Sequence, residues 1–81
     1  MSVLQVNDYS NPAARAHVAT VNASEGVRQL AVTAAAAAGN QAGARAAEVA
    51  HYRTCLASAL VNSCGSDTFR SALRTLGAGG V

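Results

Sequence analysis

From residue 12 onward, apolar residues recur along the chain at helical spacing, and the recurrence stops and restarts twice. Ala16, Ala23, Leu30 and Ala37 lie seven apart with Thr20, Val27 and Ala34 between them, so residues 12–38 predict a helix with one apolar, mostly small face. Asn11 is a good N-cap, and Pro12 fits the first helical position, where its missing N–H has no partner to lose. Ser24 and Gly26 mark residues 22–26 as a place for a kink or break, and Gly39-Asn40 supplies the stop. A second helix over 41–62 places Val49, Tyr52, Leu56, Ala59 and Leu60 on one side. The connection between the two helices is short, which makes them antiparallel neighbours in a hairpin. Phe69, Ala72, Leu73 and Leu76 then define a short amphipathic helix over 67–76, capped by Ser66 or Asp67 and stopped by Gly77.

The flanks lack this periodicity. Residues 1–11 read as an extended N-terminal arm and 77–81 as a Gly-rich tail ordered only by contact, leaving 12–76 as the one helical domain. The expected class is all-α: an Ala-rich antiparallel hairpin with a short C-terminal helix. Alanine and glycine facing alanine predict close approach of the two hairpin axes, with little area buried per residue.

Composition turns this into an argument about partners. A chain of 81 residues is near the size at which a core rarely supplies more than about 3–5 kcal/mol. Here large apolar side chains are few, with no Ile and no Trp. Each buried methyl contributes about 0.8 kcal/mol, whereas ordering a residue costs roughly 1–2 kcal/mol. A lone monomer is therefore expected to be marginal, and association to relieve it. A net charge of +2, on six Arg and no Lys, argues against a general nucleic-acid binder. The N-terminal stretch does not read as a secretory signal and no apolar run is long enough to span a bilayer, so the residues by themselves lead to the expectation of a cytoplasmic chain.

Residues able to carry chemistry form no constellation in the sequence. His51 and Cys55 stand at i, i+4, a spacing that holds one metal ion, but Cys64 has no paired-cysteine knuckle and His17 lies on another helix. No metal and no organic cofactor is expected. A Cys55–Cys64 disulfide is disfavoured across nine helical residues, so both thiols are expected reduced. Cys55 or Cys64 with His51 is a formal nucleophile–base pair without a positioned third group, and no enzymatic activity is expected. Asp8, Glu25, Glu48 and Asp67 are dispersed and read as solvated surface charge or caps. The principal rival to a contact function is DNA binding: "CLASALVN-SCGSD-TFRSALRTL" reads helix, turn, helix, with Arg70 and Arg74 sharing a face of the second helix.

The Ala-rich, lysine-free composition, the apolar arm and the block "VAHYRTCLASALVNSCGSDTFRSALRTLGAGGV" over 49–81 resemble small structural proteins encoded among the virion genes of tailed bacteriophages. The resemblance implies a many-copy virion component: a capsid-associated, decoration, tail or head–tail protein. It assigns no site residue. From the residues themselves, the expected assembly contacts, with further copies of the chain or with larger virion proteins, are Val3, Leu4, Val6 and Tyr9 in the arm. Ala23, Val27, Leu30, Ala34 and Ala37 on the first helix join them, with Tyr52 and Leu56 on the second.

Overall fold

Asn11 caps the first helix as its position predicts, its side-chain oxygen accepting from the Ala13 N–H at 2.9 Å. The computed structural model describes residues 11–79, so the arm residues Val3, Leu4, Val6 and Tyr9 lie outside the described residues. Three helices follow in order: α1 over Pro12–Ala37, α2 over Gln41–Val61 and α3 over Asp67–Thr75. α1 runs unbroken through residues 22–26, the stretch marked by Ser24 and Gly26 as a place for a kink or break. Asn40 caps α2 by accepting from the Gly43 N–H at 2.8 Å. Ser66 occupies the N-cap position of α3 but makes no side-chain capping bond, and Asp67 places a carboxylate in the first turn.

All three helices end in the same turn. The N–H groups of Asn40, Cys64 and Ala78 reach back to the carbonyls of Ala35, Ala59 and Leu73, each at 2.8 Å. The turn requires a left-handed residue, supplied by Gly39 (φ 68°), Ser63 (φ 56°) and Gly77 (φ 76°). At the third turn Arg45 adds a lock from α2, its Nε donating to the Leu76 carbonyl at 2.9 Å. Gly77 is the stop its position predicts, and the N–H groups of Gly77 and Ala78 complete the cap of α3.

α1 and α2 form the antiparallel hairpin, and α3 packs on α2. The buried apolar set among the described residues is Ala14, Val49, Cys55, Ala59 and Leu73, with His17 and His51 buried beside them. The packing corrects the expected orientation of α1. Ala16, Ala23, Leu30, Ala34 and Ala37 are exposed, as is Val27, and Thr20 is half-buried. The stripe turned toward α2 is instead Ala14, His17, Val21, Ser24, Arg28, Val32 and Ala35. The hairpin is thus joined along a seam in which polar side chains from the two helices meet. An alanine face offers only about 0.8 kcal/mol per methyl. The polar groups, once desolvated, must find partners, and they find them across the hairpin. On α2, Val49 and Ala59 are buried as expected, Tyr52 and Leu56 are half-buried, and Leu60 is exposed.

Candidate functional site

Two histidines and two serines hold the middle of the seam. His17 on α1 and Ser58 on α2 share a hydrogen bond of 2.8 Å at Nδ1, and Ser24 on α1 lies 2.7 Å from Nδ1 of His51 on α2. The two bonds run in opposite senses: α1 supplies the histidine in one and the serine in the other. Seven residues separate the members on each helix, so both occupy the same rotational position two turns apart.

Beyond His51 the seam becomes ionic. Arg28 donates through Nε to Glu25 at 2.7 Å and through Nη1 to Glu48 at 2.6 Å, joining α1 to α2, and its Nη2 also donates to Glu25. The Arg28 hydrogen bonds hold the Glu25 carboxyl at about 2, well below the usual carboxylate range, with Gln29 and His51 adding to the effect against some desolvation. The same contacts, that to Glu25 foremost, push Arg28 further up. Glu25 and Glu48 are therefore not dispersed surface charges: both are tied to one guanidinium at the helix interface.

The ionised Glu25 lies 3.4 Å from Nε2 of His51, so the ring is held between that carboxylate and the Ser24 hydroxyl at Nδ1. Cys55 Sγ is 3.8 Å from Nδ1 and 3.7 Å from Nε2, so it is aimed at neither lone pair and packs against the ring. Burial, with the Glu25 charge second, pushes the Cys55 thiol up, away from the reactive thiolate. Cys55 and Cys64 are unpaired. Serine, imidazole and carboxylate stand in the order of a nucleophile, base and orienting acid, the third group that sequence reasoning missed. Ser24 nevertheless lies in mid-helix, where the surrounding N–H groups serve the ladder of α1. The arrangement satisfies its own polar groups: no buried side-chain nitrogen or oxygen among the described residues lacks a partner. Nor do three or more His, Cys, Asp or Glu side chains converge as metal ligands among the described residues.

No protein-family model, curated protein or solved structure matches this chain. Its geometry does expose a likeness within the chain itself. "AARAHVATVNASEGV" over 13–27 aligns with "AEVAHYRTCLASALV" over 47–61, with Ala13/Ala47, Ala16/Ala50, His17/His51, Thr20/Thr54, Ala23/Ala57, Ser24/Ser58 and Val27/Val61 identical. Alanine matches are cheap in such a chain; the His, Thr, Ser and Val matches are not. The hairpin pairs two related helices head to tail, which is why the His–Ser bonds are reciprocal. This repeat was the signal available to sequence reasoning for finding the seam.

On the side of the hairpin away from α3, apolar side chains stand uncovered. Val27 is 67% exposed, Leu30 76% and Val61 83%. Val27 and Thr54 line two adjoining hollows on one side of the hairpin, of about 200 and 380 Å³. Of the expected contact residues, Ala23, Val27, Leu30, Ala34 and Ala37 thus share the open surface of α1, whereas Tyr52 and Leu56 face cavities shared with α3. Arg70 and Arg74 are both exposed on α3 and border one hollow with Leu56. Among the described residues no helix is long and apolar enough to cross a membrane.

Proposed function

We propose that this chain is a structural assembly protein whose work is contact, with further copies of itself or with the larger proteins of a particle. The observation that carries this reading is the uncovered side of α1, where Val27 and Leu30 stand in solvent among alanines while the core holds only a few apolar side chains. Apolar side chains this exposed and clustered favour a partner. The polar groups of the hairpin are occupied with one another, which leaves surface as the main thing the fold has to offer. The resemblance to small virion proteins of tailed bacteriophages names the kind of particle this reading favours.

The test is mass by light scattering, with identification of whatever co-purifies from the native source, for the full chain and for Leu30→Glu. The expected result is a species larger than the 8.1 kDa monomer, or one held on a particle, that Leu30→Glu releases with helicity intact. A stable monomer with nothing bound, unchanged by the substitution, overturns the reading. Salt-dependent, sequence-selective retention of duplex DNA, abolished by changing Arg70 and Arg74, would put DNA binding first.

A further inference from the structure

The repeat preserves two sets of residues, and the hairpin accounts for one of them. The His and Ser matches form the reciprocal bonds of the seam. Ala16/Ala50, Ala23/Ala57 and Val27/Val61 make no such bonds and are exposed on both helices; Thr54 is exposed and Thr20 half-buried. Thr20, Ala23, Val27, Ala50 and Thr54 line the hollows, and Ala16, Ala57 and Val61 continue the same two stripes at helical spacing. Elsewhere on the surface the repeats have diverged: Ala19 answers to Arg53 and Gly26 to Leu60, all four exposed.

We infer that this face is the contact between two copies of the chain, related by a two-fold axis and forming a four-helix arrangement. The inference rests on the assembly reading above and names its partner. A two-fold contact uses the same patch on both subunits and so requires a self-complementary surface. A face built from two matching helices running in opposite directions carries an approximate two-fold axis of its own, so a second copy laid on it in either sense meets the same small, uncharged residues. The matched residues carry no charge, and Arg28 at the rim is already shared between two carboxylates, so the surface suits a second neutral face. The Thr54 hydroxyl donates to the Ala50 carbonyl at 3.0 Å, so covering Thr54 strands no donor. α3 leaves the face open, because it packs on the Tyr52 and Leu56 side of α2. Two helices that run side by side over about 30 Å, lying 8–10 Å apart, offer a footprint of roughly 600 Å² per copy, or about 1,200 Å² in total, the lower limit of a specific stable interface.

Sedimentation equilibrium of the full chain tests this, with Thr54→Glu and Val61→Glu on the face and Asn22→Glu off it. The expected mass is twice 8.1 kDa. Either substitution on the face should weaken association at least about tenfold without loss of helicity, since a buried unpaired carboxylate costs well over 1.4 kcal/mol. Asn22→Glu should leave the dimer intact. A monomeric chain, or equal effects of Thr54→Glu and Asn22→Glu, overturns the inference. A chain that is monomeric alone yet bound to a particle through Thr54 and Val61 overturns the second copy as partner while leaving the assembly reading standing.

Discussion

Adding the same three carbons at two alanines distinguishes the buried side of the fold from its open side. Ala59 is fully buried on α2, and its carbonyl accepts the Cys64 N–H at the turn leading to α3, so Ala59→Leu must displace close-packed neighbours. Overpacking of this kind costs about 1–3 kcal/mol. Ala34 is exposed, so Ala34→Leu changes little beyond helix propensity and should stay within about 0.5 kcal/mol. A chain this short has a total stability on the order of 4–12 kcal/mol, which makes the first change a large fraction of the whole. With a urea slope near 1 kcal/mol per molar, Ala59→Leu should lower the midpoint by about 1–3 M, while Ala34→Leu leaves it nearly in place. The assay is circular dichroism against urea, at a protein concentration dilute enough to be monomeric. If Ala34→Leu were the more damaging of the two under those conditions, the orientation of α1 described above would be wrong.

Acid should weaken the fold through Glu25. Its carboxyl titrates near 2 in the folded chain against about 4.5 unfolded, so its contribution is complete above about pH 4.5 and disappears as pH falls toward 2. Solvent reaches 37% of the side chain, which reduces the loss to about 1 kcal/mol, measurable as a falling urea midpoint that Glu25→Gln should flatten over the same pH window. Ser63→Gly should stabilise by about 0.5–1 kcal/mol, because Ser63 holds a left-handed backbone that glycine adopts freely. A lower melting temperature for that variant would refute the account of the turn.

Much of the fold was legible in local residue chemistry. Asn11-Pro12, Gly39-Asn40 and Gly77 placed the helix ends because caps and left-handed turns are local requirements, met within a few residues. The face of α1 was not legible from hydrophobicity, because the stripe it buries carries His17, Ser24 and Arg28 while Val27 and Leu30 face outward. A rule that places apolar residues inside reads such a helix backwards. The partners of those polar groups, Ser58, His51 and Glu48, lie 20 to 41 residues away, a separation that no local window spans. The ending at Val61 shows the converse case: Ser63 gives a left-handed turn without the glycine that would have announced it.

The reciprocal His–Ser bonds carry a consequence for ancestry. A helix bearing A-x-x-A-H-x-x-T-x-x-A-S complements a reversed copy of itself, so one short gene product would already possess both halves of the seam. Fusing two such helices through the three residues 38–40 turns an association that depends on concentration into an intramolecular one. Once fused, the halves are free to diverge. Glu25, Arg28 and Glu48 answer to Ala59, Asn62 and Ala14, so the ionic clamp between the helices has no counterpart at the opposite end of the hairpin, and α3 is anchored on α2 alone. On this descent the present chain is a duplicated helix whose copies came to share one ionic clamp, while only the second acquired a neighbour.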